Sequence, residues 1–282
     1  MNKFFIVISF FCIPFLHAQD LMSMLDDKAS LNQPINSVFK DSRVVNAQST
    51  KQSSKGEFKF LVQHRFGTLN SGFYNLWGLD NSMVRMGLDY GISDRLMLSI
   101  GRSSATKQYD ASIKAKIVQQ TNQVPLIISF YSAAFIKHPS KSDMKEDDYD
   151  FLNQMSFANQ LIIARKFSSN LSLILLPTHI HKNRVEFGQP SDPLFLGFGG
   201  RYKITKKVSV NGEYFYPLTE MTENYNKLLS LGFDVETGGH VFSLHLSNSR
   251  GMTEHTFLSE TNGDWLNGDI YFGFNISRVF AW

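Results

Sequence analysis

The chain has 282 residues, of which 43% are apolar and 19% are charged, and its net charge at pH 7 is +3. A charge this small and scattered argues against a nucleic-acid-binding protein. The single cysteine, Cys12, lies in a segment that we expect to be removed, so disulfides and thiol catalysis are excluded from the mature chain.

Residues 1–18 have the pattern of a secretory signal peptide. Lys3 supplies the positive charge, residues 4–16 are mostly apolar, and Ala18 ends an acceptable cleavage site. The apolar run is too short for a membrane-spanning helix. We therefore predict export and a mature chain that begins at Gln19.

Residues 19–56 form a polar leader that is rich in Ser, Asn, Gln and Lys and lacks any clear periodicity. The leader is too short to be a folded plug domain of the kind that energy-coupled transporters use. It could still fold back into a barrel lumen. We favour the other interpretation, a periplasmic tail.

From residue 57 onward, apolar and polar residues alternate with a period of two, which is typical of strands with two different surroundings. Short and long connections also alternate, as in outer-membrane barrels with periplasmic turns and outer loops. We predict an all-β fold, a single antiparallel transmembrane barrel of about twelve strands over residues 57–282. The predicted strands are 57–67, 82–91, 94–103, 109–118, 124–136, 150–166, 170–181, 193–204, 207–217, 227–236, 239–248 and 269–282.

The last predicted strand ends on an aromatic residue and resembles the C-terminal signal by which outer-membrane barrels are recognised for insertion. The residues of this signal are Phe274, Ile276, Phe280 and Trp282. We therefore expect the chain in the bacterial outer membrane, surrounded by outer-membrane lipid. The barrel-assembly machinery is the expected partner during insertion.

The face of the strands opposite to the apolar face carries charged residues. A membrane barrel would turn these residues into its lumen, whereas a soluble sandwich would expose them to water. The signal peptide, the terminal aromatic residue and the unequal loops favour the membrane. We expect ladders of opposite charge, such as Arg85 with Asp89 and Arg201 with Glu213. The candidate lumen-lining residues are Lys59, Arg65, Arg85, Asp89, Lys114, Lys116, Arg201, Glu213, Asp234 and Glu236.

Two long loops are candidate interaction surfaces. The first is unusually apolar, with Phe73, Tyr74 and Trp77. It either folds into the barrel mouth or forms an aromatic belt at the outer membrane interface. We expect the last loop, residues 249–268, to be solvated.

Several long segments, all in the same order, resemble an uncharacterised family of β-barrel proteins from Bacteroidota. The resemblance covers most of residues 57–282 and implies an outer-membrane barrel, but it brings no established activity, cofactor or catalytic residue. The segments include HRFGTLNSGFYNLWGLD from His64, GLDYGISDRLMLSIGRSS from Gly87, GGRYKITKKVSVNGEYFY from Gly199 and GDIYFGFNISRVF from Gly268.

The sequence shows no recognisable catalytic motif. His179 and His181 share one strand face and could supply two metal ligands, but no third ligand is legible nearby. Ser243 and His245 also share a face, about 7 Å apart by strand rise. That separation is too long for the direct contact that a nucleophile and its base require. We therefore predict no enzyme, no metal and no cofactor.

A narrow channel or transporter for small solutes or ions is the leading functional hypothesis. A barrel of about eight strands is filled by side chains, whereas about sixteen strands leave a water channel. Twelve strands lie between these cases. A closed structural or binding barrel is therefore the alternative, and an outer-membrane lipid hydrolase is the third hypothesis.

Overall fold

The computed structural model describes residues 34–35, 38–105, 107–138 and 150–280, and within them twelve strands close into one antiparallel barrel. Each strand pairs with its neighbours in sequence, and the first pairs with the last. The strands are β1 (Phe58–Thr68), β2 (Met83–Ser93), β3 (Leu96–Ser103), β4 (Gln108–Val118), β5 (Ile127–Lys137), β6 (Met155–Lys166), β7 (Leu171–Lys182), β8 (Leu194–Lys203), β9 (Val208–Pro217), β10 (Leu229–Thr237), β11 (His240–Ser247) and β12 (Tyr271–Phe280).

The predicted fold class and strand count are confirmed. The predicted strand ends lie within about three residues of the observed ones, with the exception of the start of β6. That strand begins at Met155 because Leu152–Gln154 form a short 3-10 helix before it. Residues 281–282 of the predicted last strand lie outside the described residues.

The connections give the barrel two unlike ends. At the turn end, short connections such as 94–95 and 238–239 join neighbouring strands. At the loop end, connections such as 69–82 and 248–270 are much longer. The chain enters β1 at the turn end, because Phe58 pairs with Phe280 at the end of β12.

The outward face of the wall is apolar. Tyrosines are exposed near both ends, with Tyr90 and Tyr202 toward the turn end and Tyr109 and Tyr216 toward the loop end. An apolar band between two aromatic girdles suits a lipid bilayer. Exposed apolar side chains of the band include Phe60, Met86, Leu98, Ile100, Phe130, Leu173, Phe198, Leu231, Phe233 and Leu244.

No helix in the described part of the chain is long and apolar enough to cross a membrane.

The inward face has two unlike halves. Strands β1–β4 and β8–β12 present mainly charged and other polar side chains, whereas β5–β7 present a packed apolar wall. This apolar inner wall differs from the charged inner face that strand alternation predicts. Its largest members are Tyr131, Phe135, Ile162, Leu176 and Ile180, all at most 2% exposed.

The packing of the apolar inner wall predicts a difference between two leucines of β7. Leu176 points inward and is fully buried, whereas Leu173 points outward and is 44% exposed. Leu176→Ala should lower the free energy of unfolding by about 2–5 kcal/mol, because it leaves a cavity in the core. Leu173→Ala should cost clearly less. Equilibrium urea unfolding in phospholipid vesicles measures both, and equal losses would contradict a packed inner wall.

Candidate functional site: a lumen closed from both ends

Residues 38–53 form a hairpin inside the lumen, which we call the plug hairpin. Its arms are joined by a backbone hydrogen bond of 2.8 Å from the Ser49 N–H to the Ser42 carbonyl. Its tip is closed by a second bond of 2.8 Å, from the Val44 N–H to the Ala47 carbonyl. The hairpin enters from the turn end and turns back on itself within the barrel.

The expectation of a periplasmic tail is wrong for the plug hairpin. Asn46, Ala47 and Ser49 are fully buried, and all residues of the hairpin but Lys40 and Lys51 are less than 9% exposed. The physical reason is that the charged half of the inner wall requires partners, which the hairpin backbone supplies. Of the rest of the predicted leader, residues 19–33 and 36–37 lie outside the described residues.

The root of the hairpin is fixed against β2. The Gly56 N–H donates to the Gly91 carbonyl at 2.8 Å, and the Gly91 N–H donates to the Glu57 carbonyl at 3.0 Å. A Cβ atom at position 91 would lie 1.9 Å from the Ser54 carbonyl oxygen. Only glycine fits at this crossing, so the hairpin has a defined attachment point at the turn end.

Glu213 of β9 binds the tip of the plug hairpin. Its carboxylate accepts hydrogen bonds from three consecutive backbone N–H groups, those of Val45 at 3.2 Å, Asn46 at 2.9 Å and Ala47 at 3.0 Å. Successive N–H groups that converge on an anion form a concave site for negative charge. The carboxylate and the tip therefore satisfy each other inside the barrel.

Cationic side chains of the wall bind the carbonyl groups of the same hairpin. Lys114 donates to the carbonyls of Ser42 at 3.3 Å and Ser49 at 3.1 Å. Arg201 donates to the carbonyl of Val38 at 3.2 Å. Because these acceptors belong to the main chain, the contacts depend on the backbone conformation of the hairpin and not on which side chains it carries.

Lys59 is shared by the wall and the hairpin. Its ammonium group lies 2.8 Å from the Asp41 carboxylate of the hairpin and 2.9 Å from the Asp89 carboxylate of β2. A separate pair, Arg85 with Asp110, joins β2 to β4 within the wall. Hydrogen-bonded pairs of this kind are what permits charges to remain buried.

The two predicted charge ladders are wrong. Arg85 and Asp89 are four residues apart on one strand, about 13 Å by strand rise, and each binds another partner. Arg201 donates to Ser209 at 3.0 Å, while Glu213 is occupied by the hairpin tip.

A short helix closes the lumen from the loop end. Helix α1 (Glu254–Ser259) lies in the connection between β11 and β12 and follows a capping box at Thr253. Phe257 and Leu258 are fully buried within the apolar core that includes the inner wall of β5–β7. The expectation of a solvated last loop is therefore wrong for α1. Phe257 and Leu258 are adjacent and apolar, and burial in the lumen removes both side chains from water.

The helix and the plug hairpin meet at Glu254, which is fully buried. Its carboxylate forms an ion pair with Arg43 and accepts a hydrogen bond of 2.9 Å from Gln48, both of the hairpin. Tyr131 of β5 donates to the second carboxylate oxygen at 3.1 Å. We call Glu254 and its three donors the central latch, since it joins the closures from the two ends.

The remaining predicted lumen residues also lie on the inner side. Asp234 accepts a hydrogen bond from Ser243. Glu236 pairs with Lys40 of the hairpin at the turn end. Lys116 lines a cleft at the same end. Arg65, the last of the predicted residues, is fully buried; it donates to Asn46 Oδ1 at 2.7 Å and to Asn275 Oδ1 at 3.0 Å.

The aromatic residues of the first long loop remain outside the lumen. Phe73, Tyr74 and Trp77 are 73%, 93% and 51% exposed, and the rings of Phe73 and Trp77 pack edge to face at 5.5 Å. The hypothesis that these side chains enter the barrel mouth is therefore wrong. An aromatic belt at the membrane interface stays a prediction.

The predicted insertion signal lies on the outward face of β12 as far as it is described. Phe274 and Ile276 alternate with the buried inward residues Asn275 and Ser277. Phe280 is the last described residue, and Trp282 lies outside the described residues.

The two histidines considered as metal ligands contact one carboxylate instead. Asp192 Oδ1 lies 3.3 Å from His179 Nε2 and 2.6 Å from His181 Nδ1. Hydrogen bonds from Ser191 and His181 lower the pKa of Asp192 to about 2. The described residues contain no group of three or more His, Cys, Asp or Glu residues that could hold a metal ion.

The chain was compared with known proteins. A family model described as "Membrane bound beta barrel domain (DUF5777)" matches residues 39–280, which include all twelve strands and all of the plug hairpin except Val38. The expected resemblance to a barrel family without assigned activity is confirmed. A search of the curated proteins found no match.

Solved barrels resemble the chain distantly. A KdgM porin is 10% identical with a TM-score of 0.46 and covers 79% of this chain and 99% of its own. Omp33 of Acinetobacter baumannii is 9% identical with a TM-score of 0.45 and coverages of 81% and 100%. The COG4313 channel of Pseudomonas putida F1 is 11% identical with a TM-score of 0.44 and coverages of 82% and 97%. Likenesses this distant carry no argument about function.

The contact between Glu213 and the hairpin tip predicts the exchange rates of three amides. In Glu213→Ala, the N–H groups of residues 45–47 lose a charged acceptor, a change that costs about 1.5–3 kcal/mol. Their hydrogen exchange should therefore accelerate about ten-fold or more. Glu220→Ala, which removes an exposed carboxylate, is the matched control. Unchanged exchange at residues 45–47 in both variants would show that the tip is not held by Glu213.

Proposed function

We propose that this chain, which belongs to the DUF5777 family of membrane-bound β-barrel domains, is a gated passage for small anions in the bacterial outer membrane. The plug hairpin is the gate of this passage. The signal-peptide pattern of residues 1–18 and the contrast between short turns and long loops support the outer-membrane location. In that orientation the turn end faces the periplasm.

The polar attachment of the plug hairpin is the observation that carries the proposal. A purely structural barrel can fill its interior with side chains of its own wall. Here the charged half of the wall is satisfied by a separate segment, through Lys114, Arg201 and Glu213. When the hairpin leaves, water can replace those hydrogen bonds, and the charged wall becomes the lining of an aqueous passage.

The charge of the inner wall favours anions. Among the described residues, six buried cations lie on strands, against four buried carboxylates, so the wall carries 6 − 4 = +2. Rings and rows of cationic side chains select anions in pores. The cations are Lys59, Arg65, Arg85, Lys114, Lys182 and Arg201, and the carboxylates are Asp89, Asp110, Glu213 and Asp234.

The central latch couples the gate to the loop end. Glu254 belongs to α1 in the last long loop, whereas Arg43 and Gln48 belong to the plug hairpin. A movement of the loop that withdraws Glu254 leaves Arg43 buried without its partner. An unpaired buried charge is strongly unfavourable, so this movement drives the hairpin toward water.

We assign the protein no catalytic reaction. The Ser243 hydroxyl, which the sequence placed near His245, donates to Asp234 instead. The ring nitrogens of His245 have no hydrogen-bond partner among the described residues. The constellation therefore lacks the contact that a hydroxyl nucleophile requires from its base.

Conductance of the refolded mature chain in a planar bilayer tests the gate. The unchanged protein should be closed for most of the recording, with rare openings that prefer anions. Glu254→Gln should raise the open probability about ten-fold or more. The substitution removes the ion pair with Arg43, which exists only in the closed state, so it destabilises that state alone. Glu260→Gln changes a half-exposed carboxylate of the same loop and should leave the open probability unchanged. A silent bilayer for all three folded proteins would favour the closed structural barrel.

A reversible cross-link tests whether the hairpin itself moves. A Cβ atom at Gly232 would lie 2.9 Å from Val45 Cγ2. The two Cβ atoms are therefore at most about 4.4 Å apart, within the upper limit for a disulfide. The double variant Val45→Cys with Gly232→Cys should be locked closed when oxidised and should regain openings with a reductant. The two single variants are the controls, since the mature chain then has one thiol each. Openings that persist in the oxidised protein would show that the passage does not run through the hairpin site.

A further inference from the structure

A cleft of about 420 Å³ opens at the turn end, between the plug hairpin and the wall of β4 and β5. Lys51, Gln52 and Ser53 of the hairpin form one side, and Lys116 and Ile127 of the wall face them. Clefts that bind small molecules have volumes of this order. The cleft exists only while the hairpin is seated, because both sides are needed to form it.

Two buried polar atoms of this cleft lack a partner. Gln52 and Ser53 are 6% and 4% exposed, yet Gln52 Oε1 and Ser53 Oγ have no hydrogen-bond partner in the described part of the chain. Buried polar atoms are nearly always satisfied in proteins, so each such atom requires an explanation. A hydroxyl group that donates to Gln52 Oε1 would satisfy the first, and an acceptor for the Ser53 hydroxyl would satisfy the second.

Two ammonium groups line the same cleft without forming an ion pair in the described part of the chain. Neither Lys51 nor Lys116 lies within 4.0 Å of a carboxylate among the residues that the structure describes. The one carboxylate that lines the cleft, that of Asp94, accepts a backbone hydrogen bond of 3.1 Å from Lys55. The cleft therefore has an excess of positive charge and room for an anion.

One part of the cleft is apolar, whereas the rest of its lining, which includes Thr50 and Ser54, is polar. Val38 and Phe39 of the hairpin and Ile127 of β5 form the apolar part and are at most 4% exposed. Such a lining accommodates a short carbon skeleton that carries hydroxyl groups. The ligand that fits therefore combines an anionic group with a small hydroxylated skeleton.

We propose that this cleft binds a small hydroxylated anion, a phosphate or carboxylate that also carries a hydroxyl group. Lys51 and Lys116 neutralise the anionic group, and the Ser53 hydroxyl donates to it. Gln52 Oε1 accepts the hydroxyl proton of the ligand. Since the ligand bridges the plug hairpin and the wall, its binding stabilises the seated hairpin. The proposal goes beyond the gate, because the site can be occupied whether or not the lumen conducts.

Isothermal titration calorimetry of the refolded mature chain in detergent tests this site. The probes are glycerol 3-phosphate and glycerate. Inorganic phosphate, which lacks the alcohol hydroxyls, and glycerol, which lacks the charge, are the controls. We expect saturable binding of one equivalent of glycerol 3-phosphate or glycerate, weaker binding of phosphate and none of glycerol. Whichever of glycerol 3-phosphate and glycerate binds with the higher affinity shows whether the site prefers a phosphate or a carboxylate.

Three variants identify the cleft as the place of binding. Lys116→Gln should weaken binding about ten-fold or more, because a charge-assisted hydrogen bond is lost. Ser53→Ala, on the other side of the cleft, should weaken it several-fold. Lys207→Gln removes an exposed cation of the same barrel end and should leave the affinity unchanged.

The proposal is overturned if neither glycerol 3-phosphate nor glycerate binds saturably up to about 10 mM, beyond the range of weak specific affinities. It is also overturned if Lys116→Gln and Lys207→Gln bind equally well, since binding would then reflect general surface charge. Both outcomes are independent of conductance, so they leave the gate proposal standing.

Discussion

The constraint on which this structure depends is that a charged wall shielded from water must be satisfied by hydrogen-bond partners. A buried charge without a partner costs several kcal/mol even after the protein relaxes around it. Lys114 and Glu213 are both fully or almost fully buried, and the main partners of each are backbone groups of the plug hairpin. The wall thus orders the hairpin, and the hairpin permits the wall to keep its charges. Neither arrangement is stable in this form without the other.

The apolar half of the lumen has a different role. Besides the polar contacts of Glu254, helix α1 is held by the packing of Phe257 and Leu258. The hairpin also contributes Val38, Phe39 and Val44 to the same core. Hydrophobic contacts do not depend on direction, whereas the hydrogen bonds on the charged side do. The apolar contacts therefore favour a hairpin that stays in the lumen, and the hydrogen bonds of the charged wall determine its position there. In the proposed gate, departure of the hairpin would expose this apolar surface, which favours the closed state.

The sequence predicts the wall well and its contents poorly. Strand alternation is a local signal, and from Glu57 onward it gives the strands, the lipid-facing side and the barrel class. The plug hairpin has no such period, since the partners of Asn46 and Arg43 lie on β9 and α1, 167 and 211 residues away. Two signals could have been used. β5 and β7 are apolar at both parities, as expected of strands buried on both faces. Inward charges also outnumber the wall partners that strand geometry could provide for them.

In the proposed gate, the central latch also determines how the hairpin returns to the lumen. Glu254 accepts from three donors, of which Arg43 and Gln48 leave with the hairpin and Tyr131 stays with the wall. With the hairpin displaced, the carboxylate keeps one hydrogen-bond donor, Tyr131, and becomes a buried anion with too few partners. The carboxylate can regain hydrogen-bond partners from water, which enters when the passage is open, or from Arg43 when the hairpin returns. The family match begins at Phe39, so the hairpin that carries Arg43 lies within the matched domain together with α1. The carboxylate of Glu254 belongs to the loop end and binds the plug hairpin, which is attached at the turn end. Through this one group, the position of α1 and the position of the hairpin depend on each other.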